Sequence, residues 1–188
     1  MRYFLGFLAS IGLIILVFVL ILRGFGGDST KAPQDPLSEY ANTDAVVSMT
    51  VDGPIIAEQQ HQAYRISIGR SETRIETLQG YEYEAIETKT YENNREGFTN
   101  FLRAIDIEGY TRGAAEADSQ AQDERGVCAT GRRYVFEIMS GTSQVQRYWS
   151  TSCGSQGTFK GNAEQIKSLF DRQIPLPDFP RMTSRLRV

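Results

Sequence analysis

The apolar residues of this chain follow three patterns. Residues 3–22 form an unbroken, uncharged run made mostly of Leu, Ile, Val and Phe. A helix of that length spans about 30 Å, the thickness of a bilayer's hydrocarbon core. From residue 45 the pattern changes to alternation. Ala45 to Val51 is β-prone and stops at the turn residues Asp52-Gly53-Pro54. Tyr64, Ile66 and Ile68 alternate with polar neighbours across 62–70, and further strand-like runs cover 73–78 and 81–91. In the last of these, Tyr81, Tyr83, Ala85 and Tyr91 are expected on one face and Ile86 on the other. Four such runs in succession predict an antiparallel meander.

The third pattern is helical. Phe98, Phe101, Leu102 and Ile105 fall at i, i+3, i+4 and i+7, with Asn93 or Asn94 placed to cap the first turn. Residues 134–139 and 144–149 then predict a hairpin about the turn 140–143. Asn162 followed by Gln165 resembles a capping box, and Ile166, Leu169 and Phe170 continue at helical spacing until Pro175. The order of elements is therefore ββββ-α-ββ-α. It implies an α+β domain with about six antiparallel strands and both helices packed on one face of the sheet.

Between these elements lie segments that cannot bury surface. Residues 24–43 are rich in Gly, Pro and small polar residues and read as a flexible linker. Residues 113–125 hold no large apolar side chain and read as a mobile acidic loop. The chain divides into an anchor at 1–23, the linker at 24–43, a folded domain at 44–175 and a basic C-terminal tail at 176–188. Arg23-Gly-Phe-Gly-Gly-Asp follows the apolar run without an Ala-x-Ala-like site. The run is thus expected to stay in place as an uncleaved signal anchor and single-pass transmembrane helix.

Charge near the anchor barely sets its orientation, since Arg2 flanks one side and Arg23 and Lys31 the other. The cysteines decide it. Cys128 and Cys153 are the only two in the chain, and they sit at the outer ends of the predicted hairpin. Paired strands bring such ends within disulfide reach, and a disulfide belongs to an oxidising compartment. The N-terminus is accordingly expected in the cytoplasm and the domain outside it, at the cell membrane.

The chemistry-bearing residues are few. Cys153 with His61, the single histidine, could form a thiol enzyme of transpeptidase type. Sortase-type transpeptidases carry Thr-Leu-x-Thr before the nucleophile, whereas this chain has Trp149-Ser-Thr-Ser152. A disulfide also gives Cys128 a role that the enzyme reading does not. No metal-ligand spacing and no phosphate-binding glycine loop occurs, so neither a metal nor a cofactor is expected. An overall charge of −3 argues against nucleic acid.

Residues 44–125 are acid-rich and residues 126–188 base-rich, and the simplest reading is that the halves pair across one sheet. On the second hairpin strand Tyr148 and Trp149 point to opposite faces, and Tyr148 is expected to be the exposed one. Tyr148 together with Glu116, Asp118, Asp123 and Glu124 forms a candidate partner surface. The function expected is a membrane-anchored, non-enzymatic interaction or envelope-associated module. The thiol enzyme is one alternative, and an inhibitor-like module acting through the 113–125 loop is another.

Overall fold

The computed structural model describes residues 36–114, 124 and 126–184. The predicted anchor at 1–23 lies outside them, and so do residues 115–123, with Glu116, Asp118 and Asp123. Among the described residues, no helix is long and apolar enough to cross a membrane.

The fold is α+β, built on an antiparallel sheet of six main strands and a short seventh. The strands are β1 (Ala45–Asp52), β2 (Gln62–Ile68), β3 (Glu72–Gln79), β4 (Glu84–Glu92), β5 (Arg133–Ser140), β6 (Ser143–Thr151) and the four-residue β7 (Gly154–Gly157). Their order in the sheet is β4-β3-β2-β1-β5-β6-β7. Strand β1 is therefore central, with the predicted meander running off one edge and the cysteine hairpin off the other. The connection from β4 to β5 contains helix α1 (Arg95–Ile107).

One face of the sheet makes the core. Val47, Met49 and Val51 of β1 stand beside Ile68, Ile66 and Tyr64 of β2 and Ile138, Phe136 and Tyr134 of β5. Helix α1 lays Phe98, Phe101, Leu102 and Ile105 into the same core, as its spacing predicts. Asn94 caps that helix, its side chain accepting from Gly97 N at 2.9 Å. Helix α2 (Ala163–Asp171) contributes Ile166 and Phe170, and Asn162 caps it by accepting from Gln165 N. Phe170 meets the ring of Phe101 edge-on with centroids 5.0 Å apart. Tyr110 is fully buried, and its hydroxyl donates to the carbonyls of Ser48 and Glu137, which face each other across β1 and β5.

Several boundaries differ from the sequence-based expectation. The linker ends before residue 43, because Leu37–Asn42 form a 3-10 helix with Leu37 and Ala41 buried in the core. The C-terminal tail is not loose at its start, since Asp178–Thr183 form a third helix, α3. Met182 anchors it by burial, and the carbonyl of Met182 accepts from Thr77 Oγ1 at 2.9 Å. Strand β4 starts at Glu84 rather than Tyr81. Tyr83 takes a left-handed φ of 56° in the preceding turn, and a bulge opposite Thr77–Leu78 shifts Ile86 out of alternation.

The acid-rich and base-rich halves pair, as the charge pattern suggests. Asp52 meets Arg133, Glu124 meets Arg147 and Glu87 meets Arg181.

Candidate functional site

The face of β1 opposite the helices is also shielded from water, but by polar groups. Asp52 is the last residue of β1 and Arg133 the first of β5, and the two are register partners. Their side chains form a direct ion pair. His61, one residue before β2, places Nε2 2.7 Å from Asp52 Oδ1 and Nδ1 3.1 Å from the carbonyl of Pro54. Both ring nitrogens therefore face oxygen atoms. Tyr83 adds a hydroxyl that donates to Asp52 Oδ2 at 3.2 Å.

These contacts shift the groups involved. Burial, followed by the Asp52 charge, pushes the Tyr83 phenol up to about 12. Burial works to lower the Arg133 guanidinium, but the hydrogen bond and charge of Asp52 outweigh it and hold Arg133 above its ordinary value. The cluster extends outward through Glu124. Its carbonyl accepts from Arg133 Nη1, and its carboxylate lies 2.5 Å from Arg147 Nη2.

Asp52 and His61 are 0% exposed, while Tyr83 and Glu124 at the edge of the cluster are partly exposed. Its role is to fasten the loop 53–61 to the sheet. Tyr81 completes that attachment. Its ring stacks on His61 with centroids 4.1 Å apart, and its hydroxyl donates to Ile56 O while accepting from Ile56 N.

The fastened loop forms one wall of a cleft of about 500 Å³. Pro54, Ile55 and Ile56 supply that wall, and Ala129, Thr130, Gly131, Arg132, Tyr134 and Ser152 supply the rest. Ile55 and Ile56 are 40% and 39% exposed and place two adjacent aliphatic side chains at the cleft. Tyr134 reaches under the cleft, and its hydroxyl donates to Glu164 Oε1 at 3.1 Å. Burial, then the Glu164 charge, pushes this phenol up to about 12.

The second wall is the segment closed by the Cys128–Cys153 disulfide, whose Cα atoms are 5.7 Å apart. Ala129 O accepts from Ile55 N at 2.8 Å, joining the two walls. Gly131 lies directly against the bond: a Cβ there would fall 2.3 Å from Cys128 Sγ and 2.8 Å from Cys153 Sγ. Only glycine leaves the sulfurs room to join. A second concavity of about 440 Å³ sits at the other end of β1, lined by Asp44, Arg70, Glu72 and Arg74 among others. Its Arg74 and Glu72 pair with each other at 2.5 Å.

The residues singled out from sequence separate as follows. Cys128 and Cys153 are bonded. His61 is buried and faces Asp52 and Pro54. Tyr148 is the more exposed of the pair Tyr148 and Trp149, but it is only partly exposed. It packs against the core while Trp149 is buried on the other face, so both sides of β6 are covered here. The chain leaving α1 causes this: Ala114 N donates to Thr158 O, and Gly113 presses on the Tyr148 ring so closely that a Cβ would lie 2.2 Å from Cε1. Glu124 is drawn onto Arg147 and is only partly exposed.

Asp52, Tyr81, Tyr83 and Arg133 were not apparent from sequence. Asp52-Gly53-Pro54 reads as a turn, and only the pairing of β1 with β5 gives its carboxylate a partner 81 residues away. No protein-family model matches the chain, and no curated protein matches it.

Proposed function

We propose that this chain is a membrane-tethered binding domain, held outside the cytoplasm, that takes a segment of a partner protein into the cleft at its disulfide-bonded end. The reading is non-enzymatic. The observation that supports it best is the pairing of two exposed isoleucines with a polar opposite wall, in a cleft whose loops are both fastened. Fastened loops lose little freedom when a partner binds, which favours affinity. Ile55, Ile56 and Pro54 suit an apolar side chain, while Arg132, Tyr134 and Ser152 suit the polar backbone or carboxylate beside it.

The tether and compartment rest on the uncharged run at 3–22 and on the oxidised cysteines. Two measurements test the proposal in the full-length protein in its own membrane. A photoreactive residue replacing Ile56 should form one discrete adduct, removed by Ile55→Asp, while the same residue at exposed Thr88 should form none. After mild reduction, a membrane-impermeant maleimide should label the cysteines of intact cells. Labelling only after permeabilisation, or identical adducts from both positions, would end the proposal.

A further inference from the structure

The disulfide at the cleft is asymmetric in its surroundings, and the asymmetry has a chemical direction. Cys153 is exposed, whereas Cys128 is only partly so. Gly131 lies against both sulfurs, nearer to that of Cys128. Ser152 Oγ is 3.8 Å from Cys128 Sγ. The same oxygen accepts from Arg132 N at 2.9 Å, which leaves its own hydrogen free to turn toward the sulfur.

We propose that Cys153 is a thiol-exchange site, with Cys128 as the leaving group and the Ser152 hydroxyl as the hydrogen-bond donor that stabilises the departing thiolate. An incoming thiolate attacks Cys153 Sγ. The bond formed joins the thiol sulfur to Cys153, the bond broken is Cys153–Cys128, and its electron pair departs on Cys128 Sγ. No net oxidation takes place in this step. Exchange is fastest where the attacked sulfur is accessible and the leaving thiolate is stabilised. Exposure supplies the first condition and the Ser152 hydroxyl the second. The Cys128 thiolate then takes a proton from solvent, and the thiol can donate to the carbonyl of Arg132, 3.9 Å away. A second thiolate attacking the mixed disulfide returns Cys153 to its thiol and carries off the oxidised pair.

Exchange also has a mechanical consequence. Cys128 holds a left-handed φ of 57°, a conformation that a non-glycine residue adopts at a cost. The adjacent Ala129 carbonyl is the one that secures Ile55. Releasing Cys128 removes the covalent restraint on that turn and loosens the joint between the cleft walls. This last consequence rests on the reading of the cleft as the binding site; the exchange itself does not.

The test uses the full-length protein in detergent with reduced glutathione as probe, an acid quench, alkylation and peptide mass mapping. The expected product is glutathione on Cys153 with Cys128 alkylated, favoured about tenfold over the reverse adduct. Ser152→Ala should slow the reaction several-fold without moving its site. Amide exchange at Ile55 should rise in the adduct while that of β1 stays protected. An even distribution between the sulfurs, an adduct mainly at Cys128, or an unchanged rate in Ser152→Ala overturns the proposal. So does an adduct that forms only at denaturant concentrations that unfold the domain by circular dichroism. Photocrosslinking from position 56 is read separately, so a failed exchange and a failed cleft give different results.

Discussion

The two sides of β1 are equally dry and chemically opposite. Val47, Met49 and Val51 face the helices and are at most 1% exposed; Ser48, Thr50 and Asp52 face the other way and are 7%, 3% and 0% exposed. The first side is closed by apolar area contributed by α1, α2 and the 3-10 helix. The second is closed by loops whose attachment depends on hydrogen bonds and an ion pair. Apolar packing is forgiving, because many contacts share the load and a swap of similar volume is absorbed. A buried charge is not, because removing its partner leaves it with neither water nor counter-ion. The polar side is therefore where the loops, the cleft and the disulfide can be set in fixed positions.

The sharpest way to break this comparison is to remove one member from each side. Arg133→Met strips Asp52 of its guanidinium and is expected to cost about 3–5 kcal/mol, the range for a broken buried pair. Met49→Leu on the helix face is expected to cost less than about 1.5 kcal/mol. Urea unfolding followed by the fluorescence of Trp149 measures both. The double variant Asp52→Leu with Arg133→Met should recover much of the loss, because no charge is then stranded. Equal costs for the two single changes would show that the polar side is merely decorative.

The disulfide comes next in size. Replacing Cys128 and Cys153 together by Ser opens a loop of 25 residues' separation and is expected to cost about 3 kcal/mol on the chain-entropy account. The damage should be confined to the polar side. Hydrogen exchange should accelerate at Ile55 and leave Met49, in mid-strand, as protected as before. Uniform loss of protection would mean that the two sides do not behave separately.

The same contrast explains what could be read from residues in order. The helix side was legible because its signal is local: Tyr64, Ile66 and Ile68 announce a strand, and Phe98, Phe101, Leu102 and Ile105 announce a helix, whatever they pack against. The disulfide was legible because its cysteines close one hairpin. The polar cluster was not, since Asp52, His61 and Arg133 come from a strand end, a loop and a distant strand that only the sheet order unites. Leu37 and Met182 escaped for a related reason. Each is one buried apolar residue in a Pro-containing segment, too short for a period to emerge.

Helix capping is a smaller effect and tests how evenly the helix side shares its load. Asn94→Ala removes the acceptor for Gly97 N and should cost about 1 kcal/mol, read as a shift of the urea midpoint with unchanged slope. Phe98, Phe101, Leu102 and Ile105 hold the helix in place regardless, so the structure should survive. A loss as large as that of Arg133→Met would mean that α1 depends on its cap as the loops depend on their ion pair.

The smallest expected effect lies at the rim of the helix side, where charge does occur. Asp178 of α3 accepts from Lys89 and from Tyr91, and Arg181 lies 3.8 Å away. The hydrogen bond from Lys89, then that from Tyr91, holds the Asp178 carboxyl below its ordinary value. A carboxylate lowered by folding stabilises the native state above its unfolded value of about 3.9, and the contribution disappears as pH falls through the folded value. Asp178→Asn should therefore lower stability slightly at neutral pH, and the gap to the parent should close on acidification below about pH 4. Salt separates this pair from the internal one. The rim pair sits where counter-ions can reach it, so the deficit of Asp178→Asn should shrink with ionic strength, while that of Arg133→Met should not. If both deficits respond alike, Asp52 and Arg133 are open to solvent ions, and the polar side of β1 is closed less firmly than the helix side.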